Sequence, residues 1–528
     1  MSLGNRFSQH SFAQIPDVKI ARSQFDRSFT VKDTFDFDYL VPIFVDEILP
    51  GDTCNVNLNC FARLATQKVP IMDNMYVDFF FFFVPNRLVW TNWERFNGAQ
   101  DDPDDSTDYI LPQLEFPEGG PEVNSIYDKF GLPTDIAAGY TIENTLPLRA
   151  YMLIWNEWFR DQNLQNSVVV PKDDGPDSVS DFYLLKRGKR HDYFTSGLPW
   201  PQKGPAVELP LGTSAPVNFT SSSGNTALIR NSAGAIVNGA TGFTSSGAGG
   251  FLYSPANLGA SLDPNGTLEA DLSSAASATI NQLREAFSMQ ALFELDARGG
   301  TRYTEILRAH FNVVSPDFRL QRPEYLGGGQ TRINSHPVAQ TSPTSGANAQ
   351  AQLAAFATTS SQGSSIGFTK SFVEHGYVIG MACARADITY QQGLNRMWNR
   401  STRYDFYWPK LSELGEQAVL NKELYLDGTV NDEGVFCYQE RYAEYRYKPS
   451  EIHGEFRSTY GTSLDQWHLA EEFLIRPAFD DIFIQQSTPI ERAITVTTEP
   501  HLLFDAWFQY KHARPMPVYS VPATLGRF

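Results

Sequence analysis

The chain has few cysteines, no excess of positive charge and no long apolar run, and each shortage excludes a class of protein. Its 528 residues contain four cysteines and no CxxC pair, so neither a disulfide scaffold nor a cysteine-ligated zinc site is expected. The most hydrophobic stretch, residues 77–84, is far shorter than the ~20 residues that cross a bilayer. The opening residues MSLGNRFSQHSF contain no apolar core, so we predict neither a secretion signal nor membrane insertion.

Sequence motifs of the common enzyme classes are also missing. There is no GxSxG nucleophile elbow, no phosphate-binding P-loop, no HExxH zinc motif and no GxGxxG after a strand. The run Gly327-Gly328-Gly329 continues into neither Lys nor Ser, so we interpret it as a flexible turn. The sequence therefore predicts no catalytic residues and no enzymatic activity.

Acidic residues cluster once at a density that could suit a metal ion. Five aspartates fall between positions 101 and 108, namely Asp101, Asp102, Asp104, Asp105 and Asp108. Ca²⁺ takes about six to eight oxygen ligands, and several carboxylates in one loop could supply some of them. Because the run lacks the glycine and the terminal glutamate of an EF-hand loop, we favour a solvated surface and keep a structural Ca²⁺ as the alternative.

Alternating apolar and polar residues predict an antiparallel β core with few helices. Strand patterns cover residues 35–45, 54–61, 75–84, 372–388 and 494–498. Helical spacing is found in an aromatic stripe from Leu148 to Phe159, and again from Ile280 onward with an interruption at Gly299-Gly300.

Two segments differ in composition from the rest of the chain. Residues 205–280 carry five charged side chains in 76 positions, against 19% for the whole chain, and residues 333–369 carry none. The first is dense in Gly, Ser, Ala, Thr and Asn and the second is rich in Ser, Ala, Gln and Thr, and such compositions build loops rather than cores. We therefore predict a single domain, residues 1–528, with two long loops at these positions, and loops of this length are usually functional or mobile.

Positive charge is concentrated at the two ends of an otherwise acidic chain. The total is −18, whereas residues 1–32 and 506–528 each carry +3, which leaves −24 for the rest. Phosphate contacts need only local Lys and Arg. Candidates for a face against nucleic acid are Arg6, Lys19, Arg22, Lys511, Arg514 and Arg527. A third basic cluster occupies residues 186–190, and the alternative for the ends is that they are solvated or docked on neighbouring chains.

Long aromatic-rich strings in a fixed order identify a family. They are DFDYLVPI (36–43), LPGDT (49–53), RLATQKVPIMDNMYVDFFFFFVPNRLVWTNWERFNG (63–98), RAYMLIWNEWFRDQNLQ (149–165), DYFTSGLPWPQKG (192–204), GGTRYTEILRAHFNVVSPDFRLQRPEYLGGG (299–329), SFVEHGYVIGMACARADITYQQGL (371–394) and YQERYAEYRYKPSEIHGEF (438–456). Through these blocks the chain resembles the major capsid protein of gokushoviruses, small single-stranded DNA bacteriophages of the microvirus family.

The resemblance implies a fold and a function. The fold is an eight-stranded antiparallel jelly roll of the viral capsid type with long insertions, and sixty copies would form a T=1 icosahedral shell around circular single-stranded DNA. In the family a variable insertion, corresponding here to residues 205–280, rises at the threefold axes and is held to mediate host attachment. Exposed aromatic residues there become candidates for binding a receptor on the bacterial surface: Phe219, Phe243, Phe251 and Tyr253.

The other partners follow from the resemblance alone. They are a small basic internal DNA-binding protein and, during assembly, an internal scaffolding protein and a pilot protein. Assembly in the host bacterial cytoplasm and a final place in the virion are implied as well.

One alternative of a different class stays open on composition. A β-rich chain with many carboxylates and aromatic residues could be a secreted-type carbohydrate-binding protein or a glycoside hydrolase, whose acid pair lies in a substrate groove. Glu444 and Glu451 would be nominated for that pair. This interpretation explains neither the basic ends nor the ordered blocks.

Overall fold

The computed structural model describes residues 21–207, 280–339, 353–361 and 366–519, together with the backbone of seven short strands between positions 217 and 270. The chain divides into two compact units, one formed by Met1–Pro201 with Ala297–Phe528 and the other by Gln202–Asp296. Residues 205–280, the first of the two low-charge segments, lie within the second unit.

The strands account for most of the regular structure. In chain order they are β1 (Ser23–Asp26), β2 (Phe29–Phe35), β3 (Val41–Ile48), β4 (Thr53–Leu64), β5 (Met75–Pro85), β6 (Leu114–Phe116), β7 (Tyr140–Ile142), β8 (Val217–Phe219), β9 (Ile229–Asn231), β10 (Ile236–Val237), β11 (Thr244–Ser246), β12 (Gly250–Leu252), β13 (Ala260–Leu262), β14 (Leu268–Ala270), β15 (Glu324–Ala339), β16 (Leu353–Ser360), β17 (Gly367–Ser371), β18 (Gly376–Ala386), β19 (Glu416–Leu420), β20 (Val435–Glu440) and β21 (Leu502–Arg514).

The pairing of these strands is that of a jelly roll. One sheet has the order β3-β18-β5-β15, and the other has the order β2-β21-β4-β17, every pair being antiparallel. Successive strands of these eight alternate between the two sheets except at β5 and β15, which are neighbours in the first sheet, and this is the order of the two Greek keys in a jelly roll. β1 and β16 extend the second sheet at β21 and β4, so ten strands join where eight were expected, and the predicted fold class is confirmed.

The aromatic run of β5 does not alternate because both of its faces are covered. Phe79, Phe81 and Phe83 point between the two sheets, where Phe81 packs 5.5 Å from Phe368, centroid to centroid. Phe82 points the other way and packs 5.4 Å from Trp158. A strand buried on both faces reads as a continuous apolar run. The run therefore marks the middle layer between two cores.

The helices are few and most are short. They are α1 (Asn86–Val89), α2 (Trp93–Phe96), α3 (Ile126–Lys129), α4 (Leu146–Ile154), α5 (Ile280–Gly299), α6 (Tyr303–Phe311), α7 (Asn421–Leu424) and α8 (Asp481–Ile484). The aromatic stripe predicted from Leu148 to Phe159 is confirmed as α4 and the π-helical turn that follows it. Within the described ranges, no helix combines the length and the apolar character needed to cross a membrane.

The low-charge segment at 333–369 is not the continuous loop that its composition predicted. Its described parts are the end of β15, the whole of β16 and the start of β17. Small residues are compatible with a strand in this segment because β16 is half-exposed. Its buried positions, including Ala355 and Ala357, lie against neighbouring strands. Composition alone could not distinguish such a strand from a loop.

The triple glycine is also a strand rather than a flexible turn. Gly327 and Gly328 lie in β15, which pairs with β5 through residues 324–333 and then with β16 through 334–339. A Cβ atom at Gly328 would clash with the carbonyl oxygen of Phe79. Glycine is thus required for the close approach of two backbones within the part of β15 that pairs with β5.

Candidate assembly surface

Several exposed aromatic side chains of the larger unit fall close together in the sequence, between positions 398 and 408, with one more at position 445. We call them the aromatic surface, which consists of Trp398, Tyr404, Phe406, Tyr407, Trp408 and Tyr445. Trp398 is 71% exposed and Tyr404 is 55% exposed. Tyr407 and Tyr445 lie 6.2 Å apart, centroid to centroid, and a group of exposed apolar side chains marks an interaction site in a soluble protein.

Local hydrogen bonds hold the aromatic surface in shape although it contains little regular structure. Asp405 accepts hydrogen bonds from the backbone N–H groups of Thr402 at 2.6 Å and Ser401 at 3.0 Å, and these bonds lower its pKa. The indole N–H of Trp408 donates to the Arg403 carbonyl oxygen at 2.8 Å. The rings are therefore presented in a fixed arrangement, which lowers the entropic cost of binding.

Arginines lie among the rings and connect them to the buried interior. The Arg400 guanidinium lies 4.2 Å from the centroid of Tyr445 and 3.5 Å from the Glu444 carboxylate. Beneath it, Arg396 pairs with Glu423 at 2.8 Å. Burial raises the pKa of Glu423, whereas Arg396 opposes that shift. Aromatic residues and Arg are the types enriched in protein–protein interfaces.

A second exposed patch has different chemistry. The aliphatic patch consists of Val430, Leu474 and Ile475, and Val430 is 91% exposed. Arg476 holds its two segments together through ion pairs with Asp427 at 2.6 Å and Asp432 at 2.8 Å. The larger unit therefore carries two unlike apolar patches, which suits contacts between different faces of neighbouring copies.

The predicted attachment residues all belong to the smaller unit. Phe219 ends β8, and Phe251 lies in β12, which pairs with β11. Phe243 and Tyr253 lie outside the described residues.

Three of the six predicted DNA-facing residues lie at one end of the second sheet. Arg22 is exposed and donates to the Thr53 hydroxyl. Lys511 is exposed on β21 beside Asp26, and its charge contributes to lowering the pKa of Asp26, after the hydrogen bonds from Ser28. Arg514 is the third of them. The other three candidates lie outside the described residues: Arg6, Lys19 and Arg527.

Arg514 is engaged within the chain rather than free for phosphate. Its Nε donates to Asp52 Oδ2 at 3.0 Å, and Nη2 donates to the Glu47 carbonyl oxygen at 2.5 Å. Asp52 is fully buried and also lies 2.9 Å from His512 Nε2. A buried carboxylate requires such partners, so Arg514 is a structural residue at this position.

A further buried cluster adjoins His512 on its other ring nitrogen. Tyr510 OH lies 2.8 Å from His512 Nδ1 and donates to Asp46 at 2.6 Å. Arg27 pairs with both oxygens of Asp46, at 2.5 and 2.8 Å. These contacts tie β1 and β2 to β3 and β21 through charged groups that the sequence patterns did not reveal.

Acidification should weaken the subunit through His512. Burial, helped by Arg514, lowers the pKa of His512 below its ordinary value of about 6.5, although Asp52 acts in the opposite direction. The folded state therefore binds this proton more weakly than the unfolded chain does. We expect the contribution of His512 to the free energy of unfolding to be constant above about pH 6.5 and to decrease as the pH falls below that value. Denaturant titrations between pH 5 and pH 8 measure the slope.

A matched pair of histidine variants isolates this effect. His512→Gln should flatten the slope near pH 6, whereas His453→Gln should leave it unchanged because that side chain is 71% exposed. An unaltered slope in His512→Gln would show that other groups carry the pH dependence.

The aspartate run does not form a carboxylate cluster. Asp105 Oδ2 accepts from the backbone N–H groups of Asp101 and Asp102, each at 3.2 Å, and Asp101 pairs with Arg95. Asp104 and Asp108 are exposed in the same loop. In the described part of the chain, no group of three or more His, Cys, Asp or Glu side chains is placed to hold a metal. The Ca²⁺ alternative thus finds no support among the described residues.

The two glutamates nominated for a glycosidase are held by cations. Glu444 pairs with Arg400 and Arg396, and Glu451 pairs with Lys448 at 2.6 Å. Lys448 lowers the pKa of Glu451, whereas a general acid needs a raised pKa. Both glutamates line a cavity of about 430 Å³, but Glu451 is in the wrong protonation state for proton donation near neutral pH.

Sequence reasoning missed the aromatic surface. Its signal is the composition of residues 396–411, RMWNRSTRYDFYWPKL, where aromatic residues and Arg alternate without the period of a helix or a strand. An aromatic segment that fits neither period has no core face to occupy, and exposure at an interface is the consistent interpretation.

Comparisons with known proteins place the chain. A family model described as "Capsid protein (F protein)" matches residues 13–524. The chain is 58% identical to capsid protein VP1 of Bdellovibrio phage phiMH2K over the full length of both. It is 42% identical to capsid protein VP1 of Chlamydia phage 1 and 35% identical to that of Spiroplasma virus 4, over 97% of each chain in both cases. The chain therefore belongs to the F-protein family of phage capsid proteins, and it is a structural protein of the virion shell of the gokushovirus type.

Proposed function

We propose that sixty copies of this chain close a T=1 icosahedral shell around a circular single-stranded DNA genome. The observation that carries the proposal is the aromatic surface, which is exposed in a single chain and chemically suited to burial against another. An icosahedral shell needs complementary, unlike faces on each copy, and the aromatic surface and the aliphatic patch supply two. Electron microscopy of purified particles tests the closure, and sixty-copy symmetry is the expected result.

Genome enclosure rests on local rather than total charge. A body of −24 repels phosphate as a whole, so contacts with DNA must use local groups of cations, of which the basic ends are one. Arg22 and Lys511 remain exposed at one end of the second sheet, and Arg6, Lys19 and Arg527 extend the same proposal to the outer residues of the chain. A small basic internal DNA-binding protein would supply further cations. An internal scaffolding protein and a pilot protein complete the partners that we propose for assembly.

Residues 205–280 are proposed to form the surface protrusion that attaches the virion to its bacterial host. Support comes from their separation into a compact unit within Gln202–Asp296 and from their low charge. Replacing residues 208–279 by a short Gly/Ser linker should abolish adsorption to host cells while the jelly roll still folds, because the two sheets lie in the other unit. Thermal melting of particles and adsorption counts measure the two effects.

Point variants provide the control for that deletion. Phe219→Ser with Phe251→Ser should reduce adsorption without altering the melting temperature of the particle. Normal adsorption by the deleted particle, or loss of the jelly roll fold on deletion, would contradict the proposal.

A further inference from the structure

The basic cluster at residues 186–190 lines a cavity in the larger unit. The cavity has a volume of about 850 Å³. Six cationic side chains line it: Arg160, Arg187, Lys189, Arg190, Arg298 and Arg302. The only carboxylates in the described lining are those of Asp161 and Glu305. Three of the six cations come from the cluster that the sequence singled out.

The carboxylates that neutralise several of these cations lie outside the cavity lining. Arg187 pairs with Asp78 at 2.5 Å and Lys189 pairs with Glu471 at 2.7 Å, and Arg298 pairs with Glu416. None of the three acids lines the cavity. Three of the six cations are therefore neutralised by acids outside the lining, which leaves Arg160, Arg190 and Arg302 as the cations of the cavity, against the carboxylates of Asp161 and Glu305.

Two guanidinium groups retain buried donors with no acceptor in the described structure. Arg302 Nη2 donates to the Arg160 carbonyl oxygen at 2.9 Å, which brings the two residues together. The Nε atom of each is buried and makes no hydrogen bond to the described residues. Burial and the neighbouring charge of Arg302 lower the pKa of Arg160. An unpaired buried donor is costly and calls for an acceptor.

Neither acid in the lining can fill that role. Asp161 Oδ1 accepts from the backbone N–H groups of Asn163 at 2.8 Å and Leu164 at 3.1 Å. Glu305 accepts from Arg302 Nη1 at 3.2 Å and from the Arg302 backbone N–H at 3.1 Å. Both carboxylates are thus engaged by residues close to them in the chain, and no acceptor among the described residues reaches the two Nε atoms.

Aromatic rings form another wall of the same cavity. Trp158 and Tyr325 lie 5.9 Å apart, centroid to centroid, and Phe80, Phe82 and Phe159 line the space beside them. Cations for phosphate together with rings for bases are the elements of single-strand nucleic-acid recognition. Inorganic phosphate would use only the first of these elements.

We propose that this cavity binds a nucleotide, with the phosphate group accepting hydrogen bonds from Arg160, Arg302 and Arg190 and the base lying against the aromatic wall. The nucleotide is either free or part of a single-stranded DNA chain. The second source rests on the proposed genome enclosure, whereas binding of a free nucleotide does not. A volume of about 850 Å³ lies within the range typical of small-molecule sites.

Fluorescence anisotropy with full-length unassembled subunits tests the proposal. A labelled oligothymidylate is the probe, and dTMP and inorganic phosphate are competitors at fixed ionic strength. Arg190→Gln removes an exposed cation at the cavity, and Arg160→Gln removes one of the unsatisfied donors. Arg319→Gln is the matched control, because Arg319 is exposed and does not line the cavity. We expect each cavity variant to weaken probe and dTMP binding about tenfold and the control to bind as wild type.

The possible outcomes separate the proposal from its rivals. Equal weakening in Arg319→Gln, absence of dTMP competition, or inorganic phosphate competing as well as dTMP would overturn it. So would stronger competition by an acidic peptide of residues 99–109, which would make a neighbouring copy the occupant. If wild-type subunits form normal shells but do not bind dTMP, the nucleotide proposal fails and the proposed shell function stands. If they bind dTMP but do not form shells, the proposed shell function alone fails.

Discussion

Replacing Arg149 by alanine should lower the free energy of unfolding of the subunit by about 3–5 kcal/mol. The Arg149 side chain is 0% exposed, and its Nε and Nη2 bond both oxygens of Asp177 at 2.8 and 2.6 Å. Nη1 also donates to the carbonyl oxygens of Val89 and Asp173. The substitution leaves one buried carboxylate and two carbonyl groups without their donor, and it also opens a cavity beneath α4.

Denaturant unfolding of isolated subunits, followed by tryptophan fluorescence, measures this loss. Lys32→Ala is the matched control because its pair with Asp505 is exposed, and exposed pairs contribute at most about 1 kcal/mol. If both variants lose the same small amount, the buried pair does not hold α4 to α1 and to residues 173–177 as the contacts imply.

Combining Trp398→Ala with Tyr404→Ala should prevent shell formation while the subunit stays folded. Each side chain is more than half exposed in the single chain, so its removal costs little folding free energy. At the centre of an interface, removal of a large aromatic anchor costs about 2 kcal/mol or more. Two such losses at every contact weaken association on the order of 10²–10³-fold, and a closed shell repeats that loss at each symmetry-related contact.

Light scattering against subunit concentration, with electron microscopy of the products, measures assembly. Tyr183→Ala serves as control, since Tyr183 is 50% exposed but lies outside the aromatic surface. Shells at the normal concentration from the double variant would show that this surface faces solvent in the virion and that the copies meet elsewhere.

The fold could be predicted where one physical cause dominated the pattern. β4 alternates between buried and partly exposed residues because one of its faces lies on the core, and period 2 is the direct signature of that arrangement. The break at Gly299-Gly300 between α5 and α6 was predicted for a similar reason, since Gly300 adopts a φ of 94° that favours glycine. The strand β4 and the break between α5 and α6 could therefore both be predicted from residues within the segment itself.

Prediction failed where tertiary contacts decided the outcome. A strand was predicted at residues 494–498, which are rich in β-branched residues. The strand in this part of the chain is instead β21, which begins eight residues later. Leu502–Arg514 forms it because these residues can pair with β4 on one side and with β1 and β2 on the other. β21 alternates along its length as clearly as β4 does, and the aromatic residues within it were available as a signal. Arg514 likewise appeared free because nothing near it in sequence reveals Asp52.

The position of β21 sets the order of events during synthesis. This strand is the neighbour of both β2 and β4, so the sheet lacks an internal strand until residue 514 has left the ribosome. A nascent chain therefore cannot complete the sandwich, and contacts this distant in sequence form slowly.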